Sequence, residues 1–171
     1  MAIAFAVRAR ANCRGQRVGA LMVRDRHIIA TGYNGTPTNM VNCDEGGCYR
    51  CANREAFPSG AGYDLCICVH AEQNAILAAA RFGIATAGAV MYTSTRPCFG
   101  CTKELLQCGV EAVRYVHDWE HPNPDVGREY DKIQSRFAGG VKQLNLPDPD
   151  AAWATPARAW PAEETGHTLP S

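Results

Sequence analysis

The sequence predicts an α/β fold built on a five-stranded mixed sheet, and three observations carry that expectation. Runs rich in branched and aromatic residues recur near 17–25, 28–33, 89–94, 112–116 and 141–146. The segments between the later runs have helical spacing, and a strand, helix, strand succession implies a parallel pair. The first two runs are separated only by Arg26-His27, which leaves room for nothing but an antiparallel hairpin at the sheet edge.

Residues 2–12 are Ala-rich, with Ile3, Phe5 and Val7 ahead of Arg8 and Arg10, so a helix is expected that ends near Asn12 and Gly15. After the hairpin, Asn34-Gly35-Thr36-Pro37 is a strong turn signal, and the stretch from Thr38 to Cys68 has no sustained period of either kind. A loop of that length is unusual in a compact domain unless it is functional or pinned, and its cysteines are the obvious pins. Residues 71–82 are apolar nearly all round and predict a buried helix stopped by Gly83. Pro97 suits the opening of another helix, on which Cys98, Cys101, Leu105 and Cys108 share a face, Cys108 being expected in the core. A last helix is expected over 128–137. One domain is taken to run over 1–146, with 38–68 as its cysteine-rich loop, and the proline-rich segment 147–171 is expected to be disordered, apart from Trp153 and Trp160, whose large rings can dock.

A chain of 171 residues is long enough for one domain with a real core. Lys and Arg total 17, as do Asp and Glu, so nothing indicates a broad electrostatic footprint for polynucleotides, and a small substrate is favoured over nucleic acid. Nine cysteines fall short of the density of a small disulfide scaffold, and their grouping as C-x-x-C and C-x-C is how metal sites look. The first seven residues lack a charged region before their apolar run, the reverse of a secretory signal. The longest apolar stretch, 75–80, is far below membrane-spanning length, so a soluble cytoplasmic protein with no membrane partner is expected.

The chemistry concentrates in Val69-His70-Ala71-Glu72-Gln73-Asn74-Ala75 and Pro97-Cys98-Phe99-Gly100-Cys101. One neutral imidazole and two thiolates supply three of the four tetrahedral positions zinc prefers, leaving the fourth for a water that the metal acidifies. Glu72 lies too close to His70 along the chain to be a fourth ligand, yet within reach of that water, which makes it the candidate proton shuttle. A lone C-x-x-C elsewhere is often a structural zinc knuckle or a redox pair. Here both half-motifs occur in order, each opening a helical segment.

His-x-Glu followed by Pro-Cys-x-x-Cys is the signature of zinc-dependent nucleobase deaminases. Together with Gly32-Tyr33-Asn34-Gly35-Thr36-Pro37, the run Asn42 to Cys51, and the run Cys66 to Ile76, it makes residues 2–146 resemble the deoxycytidylate (dCMP) deaminase family of the cytidine/deoxycytidylate deaminase superfamily. The resemblance implies a three-layer α/β/α cytidine-deaminase fold and hydrolysis of dCMP to dUMP and ammonia by a zinc-bound hydroxide. It also implies a homo-oligomer and dCTP or dTTP as effectors. It puts Asn34 and Asn74 at positions that hold the nucleotide, with Arg17 and Tyr115 as further candidates for phosphate and base contacts. The alternatives are a deaminase of another base, a nucleoside or tRNA adenosine, and a zinc-stabilised binding module without turnover. Retention of Glu72 argues against the last, since a purely structural site has no use for a carboxylate beside an open position.

Beside the catalytic zinc, Cys48, Cys51, Cys66 and Cys68 form two close-spaced pairs fit for a second, structural zinc, with Cys13 and Cys43 as alternate ligands. Which four of the six bind is left open by the spacing, as is the reading of these thiols as buried and reduced or as a disulfide.

Overall fold

The computed structural model describes residues 1–57 and 61–155. Five strands form one sheet in the order β2-β1-β3-β4-β5, with β1 (Gly19–Arg24), β2 (His27–Tyr33), β3 (Val90–Thr95), β4 (Ala112–His117) and β5 (Val141–Gln143). The hairpin β1-β2 and the pair β1-β3 are antiparallel, whereas β3-β4 and β4-β5 are parallel, so the sheet is mixed as expected. Asp25 and Arg26 both take positive φ, as a two-residue hairpin turn requires. A register shift between Met22 and Val23 leaves Ile29 as an extra residue on the edge strand.

The helices are α1 (Ala2–Arg8), the single turn α2 (Tyr49–Ala52), α3 (Ala71–Arg81), α4 (Phe99–Gln107) and α5 (Pro124–Gln134). Strand alternation fixes their faces. Ala20 and Gly32 are paired and share a face, and Gly19 points the other way. A Cβ on Gly32 would lie 2.1 Å from the carbonyl oxygen of Ala71 in α3, and one on Gly19 would lie 2.1 Å from that of Ala4 in α1. Helices α1 and α3 therefore pack on opposite faces, each against a glycine that lets backbones touch. Right-handed crossovers put α4 and α5 on the α3 side, and the result is three layers. Ala20, Met22, Met91 and Val113 from the sheet meet Ala71, Ala75 and Ala79 of α3 and Leu105 of α4 in the main core.

Several sequence expectations need correction. Helix α1 ends at Arg8 rather than near Asn12. Helix α3 is not buried all round: Ala71, Glu72, Ala75 and Ala79 face inward, while Leu77 is exposed. Helix α5 begins at Pro124, because Asn123 accepts hydrogen bonds from the N–H groups of Asp125 and Val126 and Pro124 fills the first turn. Gly127 hides that start from a periodicity argument. Cys108 is not in the core; it is the half-buried C-terminal cap of α4, and its carbonyl accepts from Thr86 Oγ1 at 2.8 Å.

The domain also runs past residue 146. Asp148 accepts two hydrogen bonds from the fully buried Arg8, at 2.7 and 2.6 Å, and is paired with His117 Nε2 at 2.5 Å. Trp153 is buried against the guanidinium groups of Arg8 and Arg17, 5.4 and 4.8 Å from its ring. Disorder is thus corrected for 147–155, because a buried ion pair and a large ring repay the entropy of ordering the segment. Trp160 and the rest of the expected tail lie outside the described residues.

Candidate active site

His70 is held from both sides in sequence. Before it, Val69 and Gly35 exchange backbone hydrogen bonds at 2.8 and 3.2 Å, tying the entry of α3 to the end of β2. After it, α3 begins at once, with His70 as N-cap and its backbone N–H donating to Gln73 Oε1 at 2.9 Å. Cys98 is the N-cap residue of α4 and Cys101 lies in its first turn. Tyr130 of α5 donates its hydroxyl hydrogen to the carbonyl of Pro97, fixing the approach to Cys98. Two helix N-termini therefore converge on one point, where their partial positive charge favours thiolates.

His70 Nδ1 lies 3.4 Å from Cys98 Sγ and 3.4 Å from Cys101 Sγ, and the three ligand atoms are all within 4.8 Å of one another. Ligand bonds of about 2.0–2.1 Å for nitrogen and 2.3 Å for sulfur, at tetrahedral angles, put those atoms about 3.6 Å apart. The triad fits a zinc ion with one position to spare. Hydrogen bonding with Cys98 pushes the imidazole of His70 up to about 9 against the opposing effect of burial. Hydrogen bonding from Cys101, and then His70, lowers Cys98 to about 4, while the same contact with Cys98 pushes Cys101 up, so the pair shares one proton and Cys98 is the favoured thiolate.

Glu72 is 4 % exposed on the inward face of α3 and lines the same cleft as His70 and Cys98. Burial raises its pKa above the usual carboxylate range. Thr93 Oγ1, fully buried on β3, donates to Glu72 Oε1 at 2.9 Å and orients the carboxylate. Sequence reading misses Thr93, which is one of three consecutive hydroxyl residues, Thr93, Ser94 and Thr95, ending this central strand.

The four expected substrate-binding residues divide. Asn34 lines the cleft, but its amide is occupied: Nδ2 donates to the carbonyl of Gln16 at 2.8 Å and Oδ1 accepts from Val18 N–H at 2.7 Å. It braces the segment 16–18 that forms the cleft wall, and its φ is not in the left-handed region. Asn74 donates to the carbonyl of Tyr33 at 2.7 Å, which ties α3 to the end of β2 rather than reaching the cleft. Arg17 is buried against Trp153, and Tyr115 is buried in β4 opposite Thr93. Neither is among the described residues lining the cleft. In their place the cysteine-rich loop presents Arg50 and Arg54, and the segment after β4 presents Trp119. Nothing local in the sequence marks these three, since their direction depends on how the cysteines fold the loop.

The second cysteine group is larger than a single tetrad. Cys13, Cys43, Cys51 and Cys68 bring their sulfur atoms within 4.8 Å of one another, and so do Cys48, Cys51, Cys66 and Cys68. All nine cysteines, each within the described residues, are free thiols.

Residues 1–117 match the family model described as the cytidine and deoxycytidylate deaminase zinc-binding region. The chain is 44 % identical over 115 residues to deoxycytidylate deaminase of Schizosaccharomyces pombe, covering 67 % of this chain and 35 % of that protein. It is 40 % identical over 119 residues to deoxycytidylate deaminase of Saccharomyces cerevisiae, covering 70 % and 36 %. The chain thus spans about a third of the length of these two relatives. Its fold is shared with a crystal structure of dCMP deaminase from the cyanophage S-TIM5 in complex with dCMP and dUMP, at a TM-score of 0.64 and 24 % identity over 84 % of this chain and 92 % of that one. With this match over more than half its length, the chain belongs to the cytidine and deoxycytidylate deaminase zinc-binding family.

Proposed function

We propose that the chain hydrolyses dCMP to dUMP and ammonia. The observation that carries the proposal is a buried carboxyl, Glu72, lining one cleft with His70 and Cys98, which together with Cys101 bring one nitrogen and two sulfurs within 4.8 Å of one another. His70, Cys98 and Cys101 would hold a zinc ion, which when bound would supply Lewis-acid activation of a water at neutral pH. Glu72 takes the proton released by that water and delivers it to the ring nitrogen next to the amine-bearing carbon. The same carboxylate then takes the remaining O–H proton from the hydroxyl newly bonded to that carbon and passes it to the leaving amine, which departs as ammonia as the carbonyl forms. One C–O bond forms, one C–N bond breaks, and water plus substrate equal carbonyl product plus ammonia. Thr93 keeps Glu72 turned toward the reacting atoms.

Arg54 and Arg50 support a monophosphate as the group recognised away from the base, because guanidinium pairs phosphate through charge-assisted hydrogen bonds. Trp119 offers an apolar wall for the pyrimidine. Homo-oligomer formation, response to dCTP and dTTP, a cytoplasmic setting and zinc held by the cysteine-rich loop as well as the catalytic ion belong to the same reading. Among the described residues no helix is long and apolar enough to cross a membrane. Ammonia release from dCMP, dCTP, deoxycytidine, cytosine and guanine tests the proposal. Turnover of dCMP well above the others is expected, and deoxycytidine used equally well overturns it.

A further inference from the structure

Among the described residues of the lobe 38–68 there is no ordinary apolar core. Met40, Val41, Tyr49 and Leu65 are all exposed, while the buried cluster at its centre consists of Cys13, Cys43, Cys48, Cys51 and Cys68, with Cys66 and Ile67 packed against it. Thiols alone cannot hold a loop of that length, because dispersion among a few sulfur atoms does not offset the conformational entropy of some thirty residues. A metal bound by these thiols would supply that hold, and the arrangement of the sulfurs bears on how many ions they can take.

The two tetrads share Cys51 and Cys68. One metal in either tetrad would leave a pair of thiols idle against its ligands: buried Cys48 and half-buried Cys66 in one case, buried Cys13 and Cys43 in the other. Two tetrahedra that share an edge use all six. We propose that this lobe holds two zinc ions in one binuclear thiolate cluster. Cys13 and Cys43 are terminal ligands of the first ion, Cys48 and Cys66 are terminal ligands of the second, and Cys51 and Cys68 bridge both.

The spacing fits. Zinc–sulfur bonds of about 2.3 Å place the corners of a tetrahedron about 3.8 Å apart. Across the first tetrad, Cys13 and Cys51 are separated by 3.9 Å. Across the second, Cys48 and Cys66 are 3.8 Å apart and Cys51 and Cys66 are 4.0 Å apart. Cys51 thus stands at metal-site distance from a terminal sulfur on each side, as a bridge must. Charge also favours sharing. Two divalent ions with six thiolates carry the same net charge, two negative, as one ion with four, so the second ion adds bonds without adding buried charge. The backbone N–H groups of Arg14 and Gly15 donate to Cys43 Sγ at 3.4 Å and to Cys13 Sγ at 3.3 Å, supporting the terminal thiolates of the first ion. Cys13 follows α1, so the cluster joins the lobe to the opposite layer of the domain, while Cys68 lies two residues before His70.

The test uses the full chain, purified without chelator and then exchanged with cadmium-113. Native mass spectrometry is expected to give three metal ions per chain, and the cadmium spectrum a pair of resonances coupled to each other through the bridging sulfurs, with a third uncoupled. Cys13→Ser with Cys43→Ser is expected to lose one ion and abolish the coupling while the other tetrad keeps its ion. Should that variant fail to fold, the wild-type spectrum still decides. Uncoupled cadmium resonances, or two ions per chain with no coupled pair, overturn the cluster. His70→Ala separates this inference from the enzymatic one: it is expected to lose the uncoupled ion alone, and a coupled pair with no third ion would sustain the cluster while counting against the site at His70.

Discussion

Gly32→Ala tests the placement of the candidate catalytic helix. A Cβ there would lie 2.1 Å from Ala71 O and 2.5 Å from Ala75 N, both rigid backbone atoms in the first turns of α3. Restoring an ordinary 3.4 Å contact requires the helix to retreat by about 1.3 Å, and that helix carries Glu72 and follows His70. A misplacement of about 1 Å costs on the order of 10²-fold in rate, and overpacking costs about 1–3 kcal/mol in stability. Gly19→Ala is the matched control, since its Cβ would meet Ala4 O at the same 2.1 Å but on the opposite face, against α1. Urea unfolding, zinc content and kcat for dCMP would be measured on both. Both variants are expected to lose a similar amount of stability, and only Gly32→Ala about 10²-fold in kcat. Equal loss of activity in the two, or Gly32→Ala with full kcat, would refute the reasoning.

Arg54→Ala is expected to raise KM for dCMP by roughly 10- to 100-fold, the value of one or two charge-assisted hydrogen bonds, and to leave the poor use of deoxycytidine unchanged; a KM that does not move removes Arg54 from phosphate recognition. Asp148→Asn leaves the buried Arg8 charge without its carboxylate and is expected to destabilise the fold by about 3 kcal/mol, read by urea unfolding. Burial alone would raise the pKa of Asp148, but Arg8 and then His117 outweigh it and hold the carboxyl below its usual value. That stabilisation is present above the unfolded value near 3.8 and is lost as pH falls through the lower folded one. The variant should therefore show a flatter loss of stability with acid than the wild type, and parallel acid profiles would count against the pairing.

What the sequence made legible was local chemistry. The candidate site residues His70, Cys98 and Cys101, which the fold brings together, stand out because metal chemistry demands particular side chains at fixed spacing, Glu72 stands out as the proposed proton carrier beside them, and the hairpin and both crossovers follow from turn residues and periodicity. Long-range choices were not legible. Thr93 reads as one more strand residue until β3 is laid beside α3, and Arg50 and Arg54 read as loop charges until six sulfurs fold the lobe over the cleft. Arg17 looked available for phosphate, yet Trp153, more than a hundred residues away, covers it. The same contact explains why proline content misjudged residues 147–155: composition counts apolar surface but cannot see Arg8 waiting for Asp148.

The central claim rests on Glu72, and Glu72→Gln tests it most directly. The amide keeps the size of the side chain and can still accept from Thr93, but it cannot carry a proton. Conversion of dCMP to dUMP would be followed in wild type and variant, with metal content measured on the same samples. The account predicts equal metal content and a rate reduced at least about 10²–10⁴-fold, the contribution of a general acid–base group. A Glu72→Gln protein that retains its metal and more than about a tenth of the wild-type rate would contradict it.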